Sequence, residues 1–133
     1  MNLKVSIITP SYNQGEYLEE TIQSVLNQTY GNIEYIVIDG GSTDNSVDII
    51  RKYEERITFW CSEKDKGQAD AINKGLKRAT GDMVCWINSD DVLYPNFVEK
   101  FVNYFVAHPD VDFLYGDVEQ GADMQHATMR RGE

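Results

Sequence analysis

What most constrains this chain is alternation. Short runs of apolar residues trade places with segments whose apolar residues recur every three or four positions. Val5 to Thr9 is an apolar run ending at Pro10, the profile of a strand buried on both faces. Leu18, Ile22, Val25 and Leu26 follow at helical spacing. Ile33 to Ile38 is a second strand, stopped by Asp39-Gly40-Gly41, after which Ser42, Thr43 and Asp44 offer N-caps for a helix showing Val47, Ile50 and Tyr53. Ile57 to Cys61 reads as a third strand. Ala69, Ile72, Leu76 and Ala79 then mark a helix, with Gly81 as its C-terminal stop. Met83 to Ile87 is a fourth strand. Pro95 suits the first turn of a helix showing Val98, Phe101, Val102 and Phe105, and Phe113 to Tyr115 is a short fifth strand.

Strands and helices in strict alternation, with short connections and strands apolar on both faces, predict an α/β fold: a parallel sheet with helices on both faces. The pattern stops at Val118, so residues 1–117 are expected to form one unit and residues 118–133 a loosely ordered polar tail.

Composition narrows the partners. Acids outnumber bases 22 to 12, for a formal net charge of −10, so nucleic acid is not expected as a partner. An anionic ligand would need a cation or helix dipoles to screen the encounter. Cys61 and Cys85 lack metal spacing, and a doubly wound strand order separates their strands, so no disulfide is expected. Trp60 and Trp86 lie within strands and are expected in the core; His108 and His126 follow no ligand spacing. No signal-peptide core opens the chain and no apolar stretch approaches about 18 residues. The expected setting is cytoplasmic, with the inner membrane face as a place of peripheral attachment. An exposed edge on the fifth strand would invite pairing with a second copy, so a homodimer is expected.

In doubly wound sheets, ligands bind outside the carboxyl ends of the strands, where strand order reverses. With order 3-2-1-4 that crevice gathers three polar clusters: Pro10-Ser11-Tyr12-Asn13, Asp39-Gly40-Gly41-Ser42 and Asn88-Ser89-Asp90-Asp91. The first turn has no Gly-x-Gly-x-x-Gly and no P-loop, which excludes the common dinucleotide and Walker-type sites. Acids expected of a phospho-receiver after strand one are missing, and so is the glycine- and arginine-rich first turn of a nucleotidyltransferase. What remains is an aromatic ring, Tyr12, suited to stack on a base, with hydrogen-bonding groups at Asn13 and Asp39. Adjacent carboxylates at Asp90 and Asp91 suit Mn²⁺ or Mg²⁺ held jointly with substrate phosphates. Each cluster alone reads equally as a turn, a cap or a solvated loop; their convergence on one rim is the argument.

These residues resemble the family 2 glycosyltransferases with the Rossmann-like GT-A nucleotide-diphospho-sugar transferase fold. Val5-Ser6-Ile7-Ile8-Thr9-Pro10-Ser11-Tyr12-Asn13 is similar to the family's opening strand and turn, and Ile38-Asp39-Gly40-Gly41-Ser42-Thr43-Asp44 to its turn after strand two. Asp65-Lys66-Gly67-Gln68-Ala69-Asp70-Ala71-Ile72-Asn73-Lys74-Gly75 looks like its third block, and Trp86-Ile87-Asn88-Ser89-Asp90-Asp91 occupies its Asp-x-Asp position. Within the family the chain looks closest to enzymes assembling bacterial surface polysaccharides such as O-antigen.

The resemblance implies inverting, metal-assisted transfer of a sugar from a nucleoside-diphosphate donor, UDP favoured, to a saccharide or lipid-linked acceptor hydroxyl. It implies that Pro10 and Tyr12 line the base pocket, that Asp39 meets base or ribose, that Gln68 and Asp70 approach the nucleotide, and that Asn13 and Gly40 belong to the same nucleotide-sugar site. Asn88 and Asp90 would contact the donor, with Asp90 and Asp91 at the metal. Two departures remove charge: Asn88 and Gly40 stand where the family often has acids. The family's acceptor site and carboxylate base lie in a later segment that residues 118–133 do not resemble; Asp117, Glu119 and Asp123 are the nearby acids, and no pattern makes one the base. The alternative expectation is a nucleotide-sugar-binding module that lacks the acceptor site and base.

Overall fold

The computed structural model describes residues 3–108. The fifth strand expected at Phe113 to Tyr115, the tail at 118–133, and Asp117, Glu119 and Asp123 lie outside the described residues. Within them the elements run β1 (Val5–Ser11), α1 (Gly15–Leu26), β2 (Ile33–Asp39) and α2 (Ser46–Lys52). A 3-10 turn (Glu54–Arg56) leads to β3 (Phe59–Ser62), α3 (Gln68–Arg78), β4 (Met83–Trp86) and α4 (Phe97–Ala107). All strand pairs are parallel, in the order β3-β2-β1-β4. The α/β expectation is met: a parallel sheet with helices on both faces.

β1 is the centre of the sheet, with every residue buried. Its register on β2 runs from Val5 opposite Ile33 to Ser11 opposite Asp39, so both strands end on the same rim. Because side chains alternate along a strand, the sheet has two different faces. Val5, Ile7, Tyr35, Val37, Met83 and Cys85 pack with Leu18 and Ile22 of α1, Ile50 of α2, and Phe97 and Phe101 of α4. On the opposite face Ile8, Ile36, Ile38 and Val84 pack with Ala71 of α3. Cys61 and Cys85 are free thiols on strands at opposite edges, as expected. Burial pushes the Cys85 thiol up to about 12, so it acts as a small apolar core residue.

Several local expectations need correction. α2 starts at Ser46, later than the caps suggested, and buries Ile49 and Ile50 instead of a Val47–Ile50–Tyr53 face. The cap position falls to Asn45, whose side chain makes no capping bond; Asp44, one residue earlier, accepts the Ser46 N–H at 2.9 Å. Tyr53 falls past the helix end, where its hydroxyl donates to Glu19 at 2.5 Å. β3 starts at Phe59, because the 3-10 turn occupies the chain up to Ile57. The buried face of α3 is Ala71 and Gly75; Ile72, Leu76 and Ala79 are half-buried and Ala69 is exposed. Gly81 is not the helix stop, since α3 ends at Arg78 with Ala79 as C-cap. A Cβ at Gly81 would sit 2.8 Å from the Lys4 carbonyl and the Ser6 nitrogen, so glycine there lets the chain into β4 pass against β1. α4 begins at Phe97, two residues after Pro95, and Phe105 is only half-buried.

The tryptophans are the largest correction. Trp60 is half-buried and Trp86 is 42% exposed. Trp86 pairs in register with Ile8 and so lies on the α3 side of the sheet, whereas α3 packs on β1 and β2. β4 is the outer strand of the described sheet, and a strand at that place leaves such a side chain uncovered. No helix among the described residues is long and apolar enough to cross a membrane.

Candidate functional site

A cleft of about 700 Å³ opens where the carboxyl ends of the strands meet. Pro10, Ser11, Tyr12 and Gln14 line it from β1 and the following loop, and Gly40, Gly41 and Thr43 from the loop after β2. Lys64, Asp65, Gly67, Gln68 and Ala71 line it from the entry to α3, and Asn88, Ser89 and Asp90 from the loop after β4. The rim expected from strand order is thus a real concavity. Pro10, Tyr12, Gly40, Gln68, Asn88 and Asp90 of the sequence-predicted residues line it. Asn13, Asp39, Asp70 and Asp91 lie beside it without lining it.

Asp39 is fully buried. Its Oδ1 accepts from the hydroxyls of Ser11 at 3.0 Å and Ser42 at 2.6 Å. Its Oδ2 accepts from the Ser62 hydroxyl at 2.8 Å and from the backbone N–H groups of Gly41 at 3.1 Å and Ser42 at 2.8 Å. Five donors from β1, β3 and its own turn converge on one carboxylate. That arrangement compensates a buried charge and fixes the turn that presents Gly40 and Gly41 to the cleft.

Asn13 stitches two rim loops together. Its N–H donates to the Ser42 hydroxyl at 2.8 Å and its Oδ1 accepts the Thr43 N–H at 2.8 Å. The residue stands at φ +52°, a left-handed conformation that asparagine tolerates better than most. Asp70 accepts the Lys66 N–H at 3.1 Å, closing the turn into α3. Gln68 donates through its amide to the Asn88 Oδ1, joining the start of α3 to the loop after β4. Tyr12, at 58% exposed, leaves most of its ring open to a flat partner.

Sequence reasoning gave no role to Lys64 or Asp65. Lys64 is the one basic side chain lining the cleft among the described residues. Asp65 accepts the Gly67 N–H at 2.9 Å and lies against Gly40, where an added Cβ would stand 2.9 Å from both its carboxylate oxygens. The Asp65 carboxylate, from the loop before α3, therefore fills the space beside Gly40. The signal was present in the sequence, as a missing carboxylate after β2 and an unassigned Asp65 two residues before Gly67.

Among the described residues no three His, Cys, Asp or Glu side chains converge as a cage for a metal ion. Two carboxylates, Asp65 and Asp90, reach the cleft. A hard cation that keeps waters and shares substrate phosphates needs only one or two protein carboxylates, so the exposed Asp90 fits such a role. Asp91 is half-buried next to it, its backbone N–H donating to the Asn88 carbonyl at 3.1 Å.

A doubly wound parallel sheet with this polar cleft at its reversal point defines the class of α/β protein whose ligands sit at the carboxyl ends of the strands. Residues 6–130 match the family model described as Glycosyl transferase family 2, and the chain belongs to that family. It is 42% identical over 105 residues to TuaG of Bacillus subtilis, whose provisional name is teichuronic acid biosynthesis glycosyltransferase, covering 77% of this chain and 42% of TuaG. The structure of S. aureus TarS 1–349 in complex with UDP-GlcNAc superposes with a TM-score of 0.73 at 27% identity, over 80% of this chain and 32% of that one. The mannosyltransferase PcManGT from Pyrobaculum calidifontis, solved with GDP-Man and Mn²⁺, shares the fold with a TM-score of 0.77 at 24% identity, over 86% of this chain and 35% of that one. The chain spans 39–42% of the length of curated relatives such as GlyG of Streptococcus pneumoniae and TuaG.

Proposed function

We propose that residues 1–117 are the nucleotide-sugar-binding half of an inverting glycosyltransferase that moves a sugar from a nucleoside diphosphate to an acceptor hydroxyl. The observation that carries this reading is the cleft itself: an open aromatic ring at Tyr12, a rigid turn over Asp39 and an exposed Asp90 on one rim. Tyr12 and Pro10 receive the base against apolar surface. The Asp39-anchored turn holds Gly40 and Gly41 close enough for the nucleoside to approach the backbone. Gln68 and Asn88 offer amide groups toward ribose and diphosphate. Asp90, with Asp91 beside it, holds Mn²⁺ or Mg²⁺. Once bound, that cation supplies neutralisation of the charge that develops on the departing nucleoside diphosphate. Lys64 adds a second positive charge at the mouth, which matters in a chain of net charge −10. The UDP-GlcNAc bound to TarS supports a uridine donor, and the name of TuaG supports a product in cell-surface polysaccharide.

A second reading is a nucleotide-sugar-binding module that lacks the acceptor site and base; among the described residues only Asp65 and Asp90 bring carboxylates to the cleft. Calorimetric titration with UDP, GDP, dTDP and CDP, each with and without Mn²⁺, tests the shared part of both readings. Cation-dependent binding of UDP is the expected result, and no uptake of any nucleotide would overturn them. Hydrolysis or transfer from the bound donor, with and without added saccharide acceptors, then separates enzyme from module.

A further inference from the structure

α1 carries two stripes. Leu18, Ile22 and Val25 form the apolar one, buried in the core of the sheet face they share with α2 and α4. Thr21, Ser24 and Gln28 form a polar one, spaced three and four residues apart and therefore on one side of the helix and its end. Thr21 is fully buried. A threonine inside a helix commonly returns its hydroxyl to the carbonyl four residues back. Here that carbonyl, of Tyr17, is 3.5 Å away, and two carbonyls from a distant segment are closer: Ser89 at 3.0 Å and Asp91 at 2.5 Å. The Ser24 hydroxyl accepts the Leu93 N–H at 3.1 Å and donates to the Thr21 carbonyl at 2.7 Å. Gln28 donates to the Tyr94 carbonyl at 2.7 Å and accepts the Val98 N–H at 2.9 Å.

Residues 87–96 form neither helix nor strand, so their backbone groups must find partners outside regular structure. The polar stripe of α1 supplies them in sequence order. The one proton of the Thr21 hydroxyl lies between two carbonyls, the nearer that of Asp91, and they bracket the acidic pair: one belongs to the peptide preceding Asp90, the other to the peptide following Asp91.

We propose that Thr21, backed by Ser24 and Gln28, is a positioning residue that fixes the backbone around Asp90 and Asp91 and so aims the Asp90 carboxylate at the cleft, with Asp91 beside it. This rests on the donor-binding reading above. α1 reaches neither base nor phosphate through these side chains; it sets the loop that does. Groups that orient metal ligands typically change metal affinity 10- to 100-fold when removed.

The test compares Thr21→Val, which keeps shape and loses the hydroxyl, with Thr21→Ser, which keeps the hydroxyl. For Thr21→Val, the Mn²⁺ concentration giving half-maximal UDP binding is expected to rise by about tenfold or more, with Mn²⁺-free UDP affinity unchanged. Thr21→Ser is expected to restore the wild-type dependence. In ligand-free protein, amide hydrogen exchange at residues 90–94 is expected to quicken in Thr21→Val and not in Thr21→Ser. A folded Thr21→Val chain with wild-type Mn²⁺ dependence overturns the positioning role alone. Equal loss of Mn²⁺-dependent and Mn²⁺-free binding, or a Ser variant as impaired as the Val variant, makes Thr21 a packing residue and overturns it too. Should Thr21→Val fail to fold, Ser24→Ala replaces it, with the same selective loss expected and the same outcomes decisive. A wild-type chain that binds no nucleotide overturns the donor-binding reading, and the positioning role with it.

Discussion

Asp39 and Asp90 stand on either side of β1, at the same rim, and are used in opposite ways. Asp39 is fully buried, with five donors from its own turn and two neighbouring strands. Asp90 is exposed on the cleft lining, and no hydrogen bond to its carboxylate occurs among the described residues. One carboxylate is spent on the fold and the other is left for a ligand. The difference comes from the backbone around each: the Asp39 turn closes back on its own side chain, whereas the Asp90 loop is held through its main chain, which leaves the side chain outward.

The largest effect expected from this contrast is on stability. Asp39→Ala removes the acceptor of three hydroxyls and two N–H groups, the Ser11 hydroxyl among them buried, and leaves a hole where a fully buried side chain stood, so a loss of about 2–3 kcal/mol is expected in urea unfolding. A loss under about 1 kcal/mol would mean that solvent readily replaces the carboxylate, and the contrast would fail. Next in size is the complementary variant. Asp90→Ala is expected to leave unfolding free energy within about 0.5 kcal/mol of wild type. It should weaken Mn²⁺-dependent UDP binding at least tenfold, about 1.4 kcal/mol, by calorimetry. Undiminished binding would move the cation's carboxylate to Asp91 or Asp65, and Asp91→Ala and Asp65→Ala read by the same titration would say which.

Much of this was legible in the sequence. The parallel sheet follows from the alternation of strands with helices, and the rim follows once the common order 3-2-1-4 is taken, because a doubly wound sheet has few places for a crevice. Tyr12, Gly40, Asn88 and Asp90 could be placed on the cleft for that reason alone, and Gln68 through the family resemblance of the block that holds it. Exposure was not legible. Asp39 and Asp90 look alike on the page, each an acid just after an apolar run, and only the hydroxyls of Ser11 and Ser62 arriving from neighbouring strands separate them. Trp86 was misplaced for a related reason: a strand's apolarity says that it lies in a sheet, and not that a helix lies above each residue. Asp65 was missed because its neighbour in space, Gly40, is remote in sequence.

Glu34 sharpens the contrast from the other end of β2. Its carboxylate accepts from the Ser6 hydroxyl at 2.7 Å and from the Thr80 N–H and hydroxyl at 2.8 Å each, with the Lys4 ammonium 4.0 Å away. Partial burial pushes its pKa up, but those hydrogen bonds and the Lys4 charge outweigh burial and hold it below the ordinary 4.5. A carboxyl with a lowered folded pKa adds stability that is fully present above 4.5 and is lost as pH falls through that value toward the folded one. Relative to Glu34→Gln, which has no charge to lose, the wild-type chain should therefore lose unfolding free energy as the pH falls from above 4.5 toward the lower folded value, read as diverging urea-unfolding profiles of the two proteins. Parallel pH profiles for the two proteins would show that Glu34 is as free as Asp90, and that donors lying near a carboxylate do not by themselves commit it to the fold.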